Sequence, residues 1–310
     1  MHEPLVSIII PSLNRAHFLA PTIESILGQN YPAIECIVVD GGSKDETLEI
    51  LKRYEGRIAW IQEPDKCHAD AINKGWKMSR GDILAWLNAD DCYVVPDAIS
   101  QTVDYFQTHP DVDVVYGNFA VMAEDGRAIS PVLSPRKWDL EYAVKYCFYT
   151  ITQPASFMRR TILEKVGWLN SESYNDDHDL WLRIGLVGRI QYVPAFLAYI
   201  RDSIGITHQT GAVECKVQLT KNFFARKNLP PPFDSKIFQR RAMSNAYLVG
   251  SNTALLGRHY QMSLSYLVKA VITDPLNLLY ITYKTIRILF SVIMPRTMKN
   301  WVRRMFLRLQ

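Results

Sequence analysis

The chain has 310 residues, 48% hydrophobic and 21% charged, which places it among folded globular proteins and away from disordered ones, with length for one large domain and an appendage. Its five cysteines, Cys36, Cys67, Cys92, Cys147 and Cys215, are odd in number, scattered and without a CxxC pair, which argues against a disulfide framework or a zinc cluster and for a reducing compartment. The net charge of +4 is modest but gathers in the tail, since residues 275–310 contain no Asp or Glu.

The N-terminus "MHEPLVSIIIPS" carries an acidic residue where a signal peptide has basic ones, and its apolar run from Leu5 to Ile10 ends at Pro11. It reads as a first strand of a protein that is not exported. Up to about residue 120, short β-branched runs alternate with longer helical ones, the pattern of a parallel sheet with crossover helices. Strands are predicted over Val6 to Ile10, Glu35 to Val39, Ile58 to Ile61, Ile83 to Leu87 and Val112 to Tyr116. Helices are predicted between them, over Ala16 to Leu27, Glu46 to Tyr54, Ala69 to Met78 and Pro96 to Thr108, with Ser43 to Glu46 matching a capping box. Beyond Phe119 a hairpin is expected to turn at Asp125-Gly126, and an amphipathic helix around "DDHDLWLRIGLVG" to face Leu180, Ile184 and Val187 inward. From Ala212 the chain reads as mostly helical, with "NLPPPFD" as a linker.

Ligands of an open parallel sheet bind outside the carboxyl ends of its strands. Three polar clusters stand there: Pro11 to Arg15, Asp40-Gly41-Gly42, and Asn88-Ala89-Asp90-Asp91. Asp40 can accept hydrogen bonds from a base or a ribose, or it can simply form an Asp-Gly turn. Two adjacent like charges repel, so Asp90-Asp91 calls for a cation; Mg²⁺ or Mn²⁺ prefers carboxylate oxygens and completes its shell with substrate phosphates. The alternative for Asp91 is a helix N-cap. No GxGxxG follows the first strand, which removes a dinucleotide-dependent dehydrogenase.

These residues, in this order, resemble family 2 glycosyltransferases. The matching pieces are "SIIIPSLNR", "CIVVDGGSKDET", "EPDKCHADAINKGW", "GDILAWLNADDCYVVPDA", "VVYGNF", "QPASFMRR" and "YNDDHDLWLRI", spanning about Val6 to Tyr199. The resemblance implies an α/β GT-A fold with a central, mostly parallel sheet, and inverting transfer from a nucleotide-diphosphate sugar to a saccharide or lipid-linked acceptor. It implies a catalytic domain over residues 1–210, with a nucleotide-sugar half at 1–120 and an acceptor-side half at 121–210, followed by a helical, basic region at 211–310. Carried over by position, Pro11, Ser12 and Asn14 line the nucleotide pocket, Asp40 holds the base, and Asp70 lies beside the same site. By the same resemblance Asp90 is expected nearer the ribose and Asp91 as the ligand of a divalent metal, Mg²⁺ or Mn²⁺. The resemblance implies that Asp177 is the catalytic base, with Asp179 as its rival. Cys67 stands where related sequences often have glycine, and Asp176-Asp177 where they often have Glu-Asp. A non-catalytic nucleotide-sugar-binding protein and a nucleotidyltransferase are the alternatives.

Other residues stay open at this level. Asp177 could cap a helix and Asp179 could pair with Arg183. His68 and His208 could be metal ligands or polar loop residues, and Arg201 could touch a diphosphate or be a solvated charge. Trp168 and Trp181 are candidates to stack on sugars, while Trp86, in mid-strand, reads as core. The tail is apolar, carries Lys284, Arg287, Arg296, Lys299, Arg303, Arg304 and Arg308, and is interrupted before it could form a spanning helix. It is expected either to lie on an anionic membrane surface, at the inner face of the membrane of a cytoplasmic protein, or to pack as a helical subdomain. No nucleic-acid recognition motif is present.

Overall fold

β1 (Val6–Ser12) is buried along its whole length, which is what an unbroken apolar run becomes when helices cover both faces of a parallel sheet. The pleat sends Ile8 and Ile10 into one core and Ile9 into another. The first core also takes Leu19, Ile23 and Ile26 of α1 (Ala16–Leu27) and Ile99, Val103 and Phe106 of α4 (Ala98–Thr108). The second takes Ile72 and Trp76 of α3 (His68–Met78) and Leu180, Trp181 and Ile184 of α7 (Asp176–Gly185). This computed structural model describes residues 3–147, 151–173, 176–201 and 211–277.

Among the described residues the strands form one nine-stranded sheet in the order β3-β2-β1-β4-β8-β6-β9-β5, with β7 added on β6. They are β2 (Ile34–Asp40), β3 (Ala59–Gln62), β4 (Ile83–Trp86), β5 (Cys92–Tyr93), β6 (Val114–Met122), β7 (Ala128–Val132), β8 (Ser156–Arg159) and β9 (Ile190–Arg201). From β3 to β4 every pairing is parallel, and the register of β1 on β2 ends with Ser12 beside Asp40. β8 then enters antiparallel between β4 and β6, and β9 runs parallel to β6 but antiparallel to β5. Pairing Cys92 with Tyr199 delivers Arg201, the last residue of β9, to the Asp90-Asp91 loop.

Several expectations change in detail. The helix after the Gly41-Gly42 turn, α2, runs Thr47–Arg53, and no capping box forms. Ser43 bonds Asp40 instead, while Asp45 accepts from the Thr47 N–H at 3.2 Å. Val187 lies beyond the end of α7 and is exposed, because the chain leaves the helix at Gly185. Asp91 caps no helix: β5 follows it, and α4 begins only at Ala98. The β6–β7 hairpin does turn at Asp125-Gly126, where Gly126 takes a φ of +86° that suits glycine.

Contacts divide the chain into two units, residues 1–143 with 148–206, and residues 144–147 with 207–310. The helices α5 (Leu140–Tyr146) and α6 (Arg160–Val166) complete the elements before β9. In the second unit the described helices are α8 (Gly211–Phe224), α9 (Lys236–Leu256) and α10 (Tyr260–Thr273). Phe233, from the proline-rich stretch between α8 and α9, packs edge-on against Phe223 with centroids 5.4 Å apart. α10 buries Ser263, Tyr266 and Ala270 and leaves Leu264, Val268 and Ile272 exposed. Among the described residues no helix is long and apolar enough to cross a membrane. His208 and tail residues 278–310 lie outside the described residues.

Candidate active site at the strand ends

The parallel half of the sheet brings the predicted donor residues to one edge. Asp40, fully buried at the end of β2, accepts at Oδ2 from the Ser43 N–H (3.0 Å), the Gly42 N–H (3.3 Å) and Gln62 Nε2 (2.8 Å). Its Oδ1 accepts from the Ser43 hydroxyl. That same hydroxyl oxygen accepts from the Asn14 N–H at 2.8 Å, and Asn14 Oδ1 accepts from the Lys44 N–H at 2.8 Å. Asn14 holds a φ of +52°, a region asparagine tolerates better than most residues. Asp40 is thus the hub of the turn that shapes this edge. Beside it, the buried Ser12 hydroxyl has no hydrogen-bond partner among the described residues, an unmet polar group of the kind a ligand satisfies.

The loop before α3 joins the same edge. A Cβ on Gly41 would stand 2.9 Å from Asp65 Oδ2, so the missing side chain is what lets that loop close in. Lys74 Nζ gathers Asp65 (2.7 Å), Glu63 (3.0 Å) and Asp70 (3.6 Å). Burial raises the Asp65 carboxyl despite Lys74, while the Lys66 N–H bond is the main cause that lowers Asp70. Cys67 has a φ of −169°, extended backbone open to any residue, so its replacement of glycine strains nothing.

At the end of β4 the structure makes the acidic pair strongly asymmetric. Asp91 is buried, and its oxygens accept from the Arg201 N–H (3.1 Å) and Asn88 Nδ2 (3.1 Å). Burial first, and the Asp90 charge second, push its carboxyl up to about 7, with Arg201 and Asn88 only partly offsetting them. Arg201 is buried, donating to the carbonyls of Asp90 (2.9 Å), Ala123 (3.0 Å) and Glu124 (2.6 Å), with its guanidinium 4.7 Å from the Phe18 ring centre. It is therefore no solvated surface charge. From α1, the Thr22 hydroxyl donates to the carbonyls of Ala89 (2.9 Å) and Asp91 (2.8 Å).

The start of α7 sorts the three acidic candidates. Asp179 is buried and paired with Arg183 Nε at 2.8 Å, and Arg183 also donates to the carbonyls of Val166, Gly167 and Trp168. Asp176 Oδ2 faces His68 Nδ1 at 3.4 Å. Asp177 keeps a half-buried carboxylate whose Oδ1 accepts the His178 N–H at 2.8 Å. Beneath them Trp86 stacks on Trp181 with centroids 6.1 Å apart and meets Trp76 edge-on at 5.3 Å. Both Trp86 and Trp181 are buried, which makes Trp181 core and not a sugar platform.

A hydrogen-bond chain links the two sides. His68 Nε2 lies 3.0 Å from Asn88 Oδ1, and Asn88 Nδ2 donates to Asp91. Asp176, His68, Asn88 and Asp91 thus form one line from α7 to the loop after β4. Sequence reasoning weighed His68 as a metal ligand or a polar loop residue, not as a bridge between segments, and left Arg201 between a diphosphate contact and a solvated charge. Among the described residues no group of three or more His, Cys, Asp or Glu converges as a metal cage. A carboxylate raised first by burial and then by the acid beside it fits a divalent cation, which offsets that charge and completes its shell with phosphate oxygens.

A family model described as "Glycosyl transferase family 2" matches residues 7–167. An uncharacterized glycosyltransferase of Rickettsia prowazekii is 30% identical over 198 residues, covering 62% of each chain. A PGL/p-HBAD biosynthesis glycosyltransferase of Mycobacterium bovis is 34% identical over 131 residues, 41% of this chain and 51% of its own. The chain spans about 62% of the length of the curated relatives it matches first. Among solved structures, the mannosyltransferase PcManGT from Pyrobaculum calidifontis, in complex with GDP-Man and Mn²⁺, superposes with TM-score 0.60 at 18% identity, covering 88% of both chains. S. aureus TarS 1–349 in complex with UDP-GlcNAc gives TM-score 0.62 at 15% identity, covering 86% of this chain and 89% of that one. The fold is GT-A, as these likenesses establish.

Proposed function

The chain belongs to glycosyl transferase family 2, and from that premise we propose that it is an inverting glycosyltransferase acting in polysaccharide biosynthesis. Its donor is a nucleotide-diphosphate sugar and its acceptor a saccharide or a lipid-linked sugar. The observation that carries this reading is the hydrogen-bonded line from Asp176 through His68 and Asn88 to Asp91. It supports a reading in which Asp91 on the donor side and the acids of α7 on the acceptor side belong to one site.

Pro11, Ser12, Asn14 and Asp40 shape the nucleotide edge, and the unpartnered Ser12 hydroxyl supports a ligand there. Asp70 braces the adjoining loop, Asp90 stands toward the ribose, and Asp91 would hold Mg²⁺ or Mn²⁺. The bound metal supplies positive charge against the departing diphosphate. Asp177 takes the proton from the acceptor hydroxyl as that oxygen attacks the anomeric carbon from the face opposite the leaving group. Asp179 is a weaker candidate for this role, because proton transfer would break its pair with Arg183.

In this reading residues 1–120 form the nucleotide-sugar half, 121–210 the acceptor side and 211–310 a helical, basic region of a cytoplasmic protein. The acid-free, basic sequence of residues 275–310 and the exposed Leu264, Val268 and Ile272 of α10 support binding at the inner face of a membrane. The deciding experiment measures binding of UDP, GDP and dTDP with and without Mn²⁺, in the parent and in Asp91→Ala. Metal-dependent binding of one nucleotide that the substitution abolishes supports the proposal; no binding by the parent under any condition overturns it.

A further inference from the structure

His68 opens α3, half exposed, with both ring nitrogens directed at acceptors. Nε2 lies 3.0 Å from Asn88 Oδ1, and Nδ1 lies 3.4 Å from Asp176 Oδ2. The orientation of the Asn88 amide is set independently, because its Nδ2 donates to Asp91 Oδ2 (3.1 Å) and toward Gln153 Oε1 (3.4 Å). A neutral imidazole has a single N–H and can satisfy only one of two acceptors. The bridge is therefore complete only as the imidazolium. The groups that face it are Asp176 and Asp177 at the start of α7, and Asn88, with Asp91 behind it, in the loop after β4. Burial draws the imidazole downward, but the bonds to Asp176 and Asn88 and the Asp176 charge outweigh it and leave it raised above its ordinary value.

The rest of this end of α3 holds the same partner. Cys67 Sγ reaches the Ser171 carbonyl at 3.4 Å. Asn73 clasps Leu169 in both directions, donating to its carbonyl at 2.8 Å and accepting its N–H at 3.0 Å. α3 and the residue before it thus hold Leu169, Ser171 and Asp176, the last of which directly precedes Asp177. The grip has two neutral contacts and one charged one, and only the charged one also touches the loop that holds Asp91.

We propose that His68 is a positioning residue: by bridging Asn88 and Asp176 it ties the segment that presents Asp177 to the loop that presents Asp91, and so sets the distance between base and donor. This rests on the glycosyltransferase reading given above. It follows that the bridge is broken at one end as the imidazole loses its proton, while the contacts of Cys67 and Asn73 with Ser171 and Leu169 remain. Misplacing a base by about 1 Å can cost on the order of 100-fold in rate, so the effect belongs in kcat and not in nucleotide affinity.

The bridge itself is tested in the metal-free protein by following the His68 imidazole by NMR against pH, in the parent and in Asp176→Asn. The expected result is a midpoint above about 6.5 that falls when Asp176 is neutralised; an ordinary midpoint, or one that Asp176→Asn leaves unmoved, overturns the proposal. Its role is tested by kcat for His68→Ala, His68→Gln and the double variant His68→Ala with Asp176→Asn. A loss of about 10- to 100-fold, as for groups behind a site, is expected in His68→Ala, smaller in His68→Gln, with the double variant no worse than the poorer single one. Additive losses, or a loss confined to nucleotide affinity, would overturn it. A parent that binds no nucleotide would overturn the glycosyltransferase reading instead, with the NMR titration still deciding the bridge.

Discussion

Replacing Asp91 by Asn should stabilise the metal-free protein, and by an amount the site sets. The Asp91 carboxyl rises from 3.8 to about 7 on folding. Roughly three units at about 1.4 kcal/mol each give at most about 4 kcal/mol of penalty on the ionised form. Because the folded state holds this proton more tightly than the unfolded one, stability falls as pH rises from about 4 to about 7 and stays low above that. Asn removes the charge but places an amide N–H₂ where one oxygen accepted from Asn88, which forfeits about 1 kcal/mol for a hydrogen bond. Asp91→Asn should therefore exceed the parent by about 3 kcal/mol at pH 8, with the gap closing toward pH 4. Urea unfolding followed by tryptophan fluorescence reads it, since Trp76, Trp86 and Trp181 all lie in the core beneath the site. With Mn²⁺ and a bound nucleotide the order should reverse, as the parent gains about 4.1 kcal/mol at a thousandfold excess over Kd. A gap that does not change with pH, or a parent more stable than the variant above pH 7 without metal, would refute the reasoning.

The acids of α7 should separate cleanly. Asp177→Asn should lower kcat by about 10²- to 10⁴-fold, the range for a lost general base, with nucleotide affinity and unfolding midpoint unchanged, measured by steady-state kinetics and calorimetry. Asp179→Asn should instead destabilise by about 3 kcal/mol, because it takes the carboxylate charge of the buried Asp179 away from the half-buried Arg183, and denaturant titration would show it. Arg201→Met should cost a similar amount, since three carbonyls lose a charged donor, and should abolish Mn²⁺-dependent nucleotide binding, measured by calorimetry. Gly81→Ala would place a Cβ 2.7 Å from the Ser7 nitrogen and 2.9 Å from the Leu5 carbonyl, both backbone, and should lower stability by about 1–3 kcal/mol. Ending the chain after Asp274 should abolish sedimentation with anionic vesicles; unchanged sedimentation would remove the membrane reading.

Local pattern carried much of this molecule. The run "VSIIIPS" reads as a strand buried on both faces, because apolar residues stand at both odd and even positions with only two small serines among them, and Leu19, Ile23 and Ile26 stand at the helical spacing that covers one of those faces. The strand-end clusters at Ser12, Asp40 and Asp91 were legible because a strand's last residues are fixed by where its apolar run stops. What periodicity does not encode is which distant segment arrives beside such an end. β8 enters antiparallel between β4 and β6, and β9 returns Arg201 to Asp91 across 110 positions of chain. Nothing local to "FLAYIR" separates a buried arginine bonded to three carbonyls from a solvated one. The same limit hid the bridge from His68 to Asp176, 108 positions apart, and left Asp177 and Asp179 equivalent as first-turn acids. The sequence by itself determined which residues could do chemistry and at which strand ends they stand. Only the tertiary structure decided their charge states and partners, because burial and long-range hydrogen bonds, not neighbours in the chain, set the energy of an ionised group.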